Sequence, residues 1–137
     1  MKVQNFCVPI LITLGVKTKK NYYLNLNGYR NWQFRLSNDL KRKFKEQVKD
    51  EIAKLTPVEG SCKMTFAIFY PTKRLFDVDN IASVVTKFTN DALVELNILA
   101  EDNYLHVTEI HSKFGGIDRD NPRCEVTIME NPDGKFC

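Results

Sequence analysis

Apolar residues recur along this chain with two rhythms, and their alternation lays out the elements. Val3 to Thr13 alternates with a period near two and reads as a first strand. Leu40, Phe44, Val48, Ile52 and Leu55 recur at helical spacing and predict an amphipathic helix from about Ser37 to Leu55. Ser37 or Asn38 can cap it, Asp39 suits its first turn, and Pro57 and Gly60 end it. Cys62 to Tyr70 is rich in β-forming residues and reads as a strand stopped by Pro71. Ile81, Val84, Val85, Phe88, Ala92 and Leu96 then fit a second helix over about Asn80 to Leu96. Tyr104 to Lys113 reads as a strand, Gly115-Gly116 as a turn, and Arg123 to Met129 as the last strand. Between the first strand and the first helix, residues 14–31 read as a loop with an Asn27-Gly28 turn and a short extended piece at Tyr22 to Leu26. The order β-α-β-α-β-β predicts an α+β fold: one domain over residues 1–137, a mixed sheet with two main helices packed on it.

Composition narrows the class. Of 137 residues, 43% are hydrophobic, enough to build a core and to exclude wholesale disorder. No apolar run approaches the roughly 18 residues that span a bilayer, so no membrane partner is expected. The N-terminal apolar stretch lacks a small-residue cleavage site and alternates as a strand does. The expected location is therefore intracellular. Cys7, Cys62, Cys124 and Cys137 include no CxxC pair, which reads as isolated buried thiols in a reducing compartment and not as a zinc site.

The net charge of +3 conceals an asymmetry. Residues 1–75 hold 15 Lys/Arg against 5 Asp/Glu, and residues 76–137 hold 5 against 12. One half can contact a polyanion while the other collects carboxylates. Lys17, Lys19 and Lys20 in the loop and Lys41, Arg42, Lys43, Lys45 and Lys49 on the first helix are candidate phosphate contacts, though such residues also keep a helix soluble.

The acids concentrate interest at Phe76-Asp77-Val78-Asp79-Asn80, directly after Lys73-Arg74. In extended backbone, residues two apart point to one side, about 6.6 Å apart along the strand, so Asp77 and Asp79 would converge. Asp79 also stands where a helix begins, and an N-cap role alone would account for it. Glu101-Asp102 follows the second helix, and Asp102 is expected to return near Asp77 and Asp79 if that helix packs back on the sheet. Clustered carboxylates do not all stay ionised cheaply without a cation. An all-oxygen set suits Mg²⁺, or Mn²⁺, and carboxylate-held Mg²⁺ is equipment for phosphodiester hydrolysis. His106 and His111 lie five apart in a strand, on opposite faces, and form no paired metal site.

Asp77-Val78-Asp79-Asn80, then Asn90-Asp91-Ala92-Leu93, then Asn97-Ile98-Leu99-Ala100-Glu101-Asp102 resembles the core of the RusA family of Holliday junction resolvases, over roughly residues 66–130. Leu26-Asn27-Gly28-Tyr29-Arg30-Asn31-Trp32 is similar to the Asn/Tyr/Arg-rich loop of phage-type members. The resemblance implies a RusA-like fold and a homodimeric, Mg²⁺-dependent endodeoxyribonuclease. Such an enzyme resolves four-way junctions by paired symmetric nicks in recombination and repair. The matching acids are Asp77, Asp79 and Asp102, as catalytic and metal-binding residues, with Glu101 first in the acidic pair. Lys73, Arg74 and Phe76 join the DNA-binding candidates; Tyr29 is a further candidate to pack against an opened base, and Trp32 reads as core in preference to that role. The family's lysine, four residues after the second Asp, is replaced here by Ser83, and counting back from Asp91 the lysine aligns with Lys87. Four extra helix residues displace Lys87 by roughly 6 Å along the axis. Two other readings stay open: a non-catalytic branched-DNA-binding homodimer, and a small α+β interaction protein whose acids are caps and surface.

Overall fold

A computed structural model describes residues 2–132 of the chain. Its centre is the strand β4, Cys62–Tyr70, whose alternate residues Cys62, Met64, Phe66 and Ile68 are fully buried. Beside it run β6, Arg123–Glu130, antiparallel, and β5, Val107–Ile117, parallel; β1, Val3–Val8, pairs antiparallel with the far side of β6. The strand order is β1-β6-β4-β5. Phe6, Val8, Val126 and Ile128 face the same side as Met64 and Phe66 and are buried with them.

Two helices cover that side. Helix α2, Phe34–Ala53, buries Leu40, Phe44, Val48 and Ile52. Helix α3, Val78–Glu95, buries Ile81, Val84, Val85, Phe88, Ala92 and Leu93. Their apolar stripes are those the 3.6 period picks out in the sequence. The opposite face is polar: Lys63 pairs with Glu109 at 2.9 Å, Asn5 accepts from Thr127, and Arg123 bridges Asp118 and Glu125. A one-sided core of this kind is an α+β arrangement on a mixed sheet. Among the described residues no helix is long and apolar enough to cross a membrane.

The N-terminal third departs from the expected pattern. The single strand Val3 to Thr13 is broken at Pro9-Ile10, where proline offers no N–H to a ladder. Beyond the break, β2, Leu11–Leu14, forms its own hairpin with β3, Lys20–Tyr23. Gly15 in the hairpin loop has φ +116°, and a Cβ there would lie 2.0 Å from the Thr18 carbonyl oxygen, so only glycine fits. Asn27-Gly28 is no turn: both lie inside a short helix α1, Leu26–Asn31. The Asn25 side chain caps that helix by accepting from the Gly28 N–H at 2.7 Å. Helix α2 starts at Phe34, not Ser37, with Gln33 at the cap position and no side-chain cap bond. The chain therefore runs β-β-β-α-α-β-α-β-β.

Two C-terminal expectations also move. β5 begins at Val107, because residues 103–106 form turns around Asn103, whose carbonyl accepts from His106 and Val107. Gly115-Gly116 lies within β5, not at its end. Glycine is required there because a Cβ on Gly115 would sit 2.6 Å from the Phe69 ring. The reversal comes later, at residues 118–122, where the Asp118 carboxylate accepts from the Asn121 N–H at 3.2 Å. Cys7 is exposed on the polar face, which corrects the expectation of a buried thiol; Cys62 and Cys124 are buried, and Cys137 lies outside the described residues.

Candidate functional site

The chain leaves β4 at Tyr70, crosses a loop and enters α3 at Val78. Phe76 anchors the loop by stacking on Tyr70, ring centres 4.6 Å apart, and by an edge contact to Phe114 at 6.0 Å. Asp77 occupies the N-cap position, with extended backbone at φ −83° and ψ 127°, but its side chain makes no cap bond. Asp79 lies in the first helical turn, so it is not the N-cap. The two acids thus do not share a strand face; they stand around the start of a helix, whose dipole favours negative charge. Both are exposed, and neither carboxylate has a hydrogen-bond or ion-pair partner among the described residues.

Asn80, next in the motif, faces inward. Its side-chain oxygen accepts from the Leu26 N–H at 3.0 Å, tying α1 to the start of α3. Ser83 donates its hydroxyl to the Asp79 carbonyl at 2.6 Å, an internal helix contact. Lys87 is exposed on the same helix, which is unbroken from Val78 to Glu95. The eight residues from Asp79 to Lys87 therefore take up about 12 Å of axis, and the extra turn is not absorbed at the helix start.

Asp102 is at the other end of the molecule. β4 and β5 are parallel, so the helix between them must carry the chain back to the end where both strands begin. Eighteen residues give α3 a length of about 27 Å. Its C-terminus closes with Asn97 at φ 64°, the Ile98 N–H donating to the Leu93 carbonyl at 2.9 Å and the Asn97 N–H to Val94 at 3.1 Å. Asp102 follows, exposed, just before the backbone pairing that opens β5, where the Cys62 N–H donates to the His106 carbonyl. Asp77 and Asp79 sit where β4 ends; Asp102 sits where β5 begins. The expected return of Asp102 to the pair does not occur in this chain. Among the described residues no group of three or more His, Cys, Asp or Glu side chains is placed to hold a metal ion. Two carboxylates of the set suit Mg²⁺, and the third does not reach them in this chain alone.

The basic candidates fall into two groups. Lys73 and Arg74 are exposed in the loop beside Asp77 and, with Thr72, Leu75, Phe76, Val78, Phe114 and Ile117, line a cleft of about 250 Å³. Lys17 and Lys19 project from the β2–β3 loop and Lys20 from the start of β3, its ammonium 5.2 Å from the centre of the Tyr22 ring. Leu14 and Gly15 in this hairpin share a second cleft with Asp39, Arg42, Lys43 and Glu46 of α2, so the base of the lysine-rich loop adjoins a face of α2 that carries both charges. Parts of that side are already engaged: Arg42 pairs with Asp39 at 2.6 Å, Lys45 with Glu95, and Lys41 lies over the Tyr29 and Phe88 rings. Tyr29 and Trp32 pack on Phe88 and belong to the core margin.

One group near the acids is not anticipated by sequence spacing. Asp118 follows β5 at the same end of the sheet as Asp77, its N–H donating to the Tyr70 carbonyl at 2.8 Å. Its carboxylate is held by Arg123 at 2.8 Å, and Arg123 also lies over Phe69 and pairs with Glu125. That acid is thus neutralised by an intramolecular partner, unlike Asp77 and Asp79. His111 contacts Glu109 at 3.1 Å on the polar face, and His106 lies in the turns before β5. In comparison with known proteins, the chain matches no family model and no curated protein.

Proposed function

We propose that the chain is a RusA-like, Mg²⁺-dependent endodeoxyribonuclease that acts on branched DNA, four-way junctions above all, as a homodimer; Mn²⁺ is the alternative cation. The observation that carries the reading is the pairing of opposites around the start of α3. Asp77 and Asp79 are exposed and unpartnered among the described residues, and Lys73, Arg74 and the Phe76 cleft adjoin them. Asp77 and Asp79, like several other surface acids, have no ion pair among the described residues, and their closeness in sequence at one helix start keeps two negative charges available for an external cation. The adjacent lysine and arginine suit a phosphate backbone. In this reading the third carboxylate, Asp102, is supplied to the pair by the second protomer, and a two-fold dimer then presents two equal sites to a two-fold junction.

The position of Lys87 favours a second reading. Set about 12 Å along α3 from Asp79, it is remote from a phosphate held at the acids, which suits a branched-DNA-binding homodimer without cleavage. One experiment separates the two. A synthetic four-way junction is incubated with Mg²⁺ and either the wild type or Asp79→Asn. Symmetric paired nicks that vanish in the variant while junction binding persists support the nuclease. Tight binding without nicks by the wild type supports the binding protein, and neither binding nor nicking rejects both.

A further inference from the structure

The cleft where β4 gives way to α3 is apolar within and cationic at its rim. Leu75, Phe76, Phe114 and Ile117 give it an apolar lining around a volume of about 250 Å³. Leu75 is 95% exposed, Phe114 51% and Ile117 49%, so three large apolar side chains of one cleft meet solvent together. Single exposed leucines need no explanation, whereas a contiguous apolar patch with a polar rim marks a site of interaction. Among the described residues its charged lining is Lys73 and Arg74 alone, and neither side chain has an ion pair. Asp77, although next to Phe76 in sequence, does not line it. The Thr72 hydroxyl at its margin already accepts from the Arg74 N–H at 3.3 Å. Phe76 is stacked on Tyr70 and meets the edge of Phe114, so its ring is a wall of the cleft and not a free platform for a nucleobase.

The neighbourhood of the cleft favours a peptide. Phe114 and Ile117 belong to β5, which pairs on one side with β4 and, among the described residues, with no strand on the other. The outer N–H and C=O groups of β5 are therefore open to an extended chain. The strand carries no proline, and its register is regular from Glu109 to Phe114. Ile110 and Phe114 lie on the helix side of the sheet, opposite Met64 and Ile68, while Lys113 lies on the other face without an ion pair among the described residues. We propose that the cleft and the adjoining edge of β5 dock an extended acidic segment of another protein, in which large apolar side chains alternate with Asp or Glu. Its main chain pairs along β5, and one apolar side chain fills the space between Leu75, Phe114 and Ile117. Its carboxylates meet Lys73 and Arg74 at the rim and Lys113 on the far face. Strand addition supplies affinity through the main chain, and pockets for alternate side chains supply selectivity. The three unpaired cations set the sign of the charge the segment carries. The inference does not rest on the nuclease reading. Where both hold, the segment and a phosphate backbone compete for Lys73 and Arg74, and a protein partner then governs access to the acids.

The probe is the synthetic peptide Ser-Glu-Val-Glu-Phe-Glu-Ser, labelled with fluorescein and titrated with the full chain while anisotropy is read. Binding is expected with a Kd on the order of tens of micromolar. Leu75→Asp, at an exposed loop position, is expected to weaken it about 10-fold or more. The same loss is expected from Lys73→Glu with Arg74→Glu, and from replacing the Phe of the peptide with Ala. Lys17→Glu with Lys19→Glu, on the β2–β3 loop, is expected to leave binding unchanged. No binding at about 1 mM overturns the proposal. So does a loss from the Lys17 and Lys19 pair as large as that from Leu75→Asp, which reduces the contact to general charge attraction. A thymidine dinucleotide that binds in a Leu75-dependent way, while the peptide does not bind, makes the cleft a nucleotide site and overturns it too. Should a variant not fold, amide chemical shifts of the wild type decide. Changes on adding peptide that are confined to residues 72–78 and 109–117 support the proposal, and changes centred on residues 17–20 overturn it. A chain that binds the peptide and does not nick junctions keeps this inference and rejects the nuclease; a nicking enzyme without affinity for the peptide does the reverse.

Discussion

Asp77 and Asp79 are two residues apart and occupy different structural roles, one at the cap position and one inside the first turn of α3. An acid in a first turn typically stabilises a helix by about 0.3–1 kcal/mol. Asp79→Asn should therefore lower stability by no more than about 1 kcal/mol in a urea titration, so that lost nicking reflects lost chemistry and not unfolding. The thiols differ as sharply. Burial pushes the Cys62 thiol up to about 11 and the Cys124 thiol up to about 12, whereas Cys7 is exposed. A thiol-specific disulfide reagent at neutral pH should modify Cys7 in the native protein and reach Cys62 and Cys124 only after denaturation. Rapid modification of either buried thiol in the native state would show that the sheet opens readily. Residue types were legible in the sequence at every one of these positions. Exposure was not, because Cys7, opposite Glu125, and Cys124, opposite Val8, sit on adjacent paired strands and differ in which face of the sheet each presents.

Among the elements, α3 was the most legible, since its apolar stripe recurs over five turns, and its stop is explained by a left-handed residue that is not glycine. Asn97 at φ 64° closes the helix. Asn97→Gly should be neutral or slightly stabilising, while Asn97→Ala should cost about 1–2 kcal/mol; equal melting temperatures for the two variants would show that the motif does not fix the helix end. α1 is hidden from a sequence reading for an equally local reason. Asn-Gly is a turn signal in isolation, but here the Asn25 cap recruits the Gly28 N–H, and the glycine leaves room for the Trp32 ring, 3.0 Å from where a Cβ would be. Val3 to Thr13 reads as one strand because its apolar pattern continues through Pro9, and the pairing partners reveal two strands in two sheets.

At the scale of the whole molecule, the charge division along the sequence becomes a spatial one only in part. The lysine-rich hairpin loop adjoins a mixed-charge face of α2, and Arg42 and Lys45 of that helix are engaged by Asp39 and Glu95. Replacing Lys17, Lys19 and Lys20 together with glutamine should weaken junction binding and reduce the slope of log affinity against log salt by up to about 3, close to one per lost phosphate contact. An unchanged slope would remove the hairpin from the DNA surface. The α+β class, the two long helices, the central strand and the identity of the acids all follow from local periodicity and residue chemistry, and so are readable without coordinates. The separation of Asp102 from Asp77 and Asp79 is a property of the fold, since parallel pairing of β4 and β5 obliges α3 to carry the chain the full length of the sheet. The fold alone decides that β5 is an edge with both faces open, because strand order depends on long-range pairing that no run of neighbouring residues encodes.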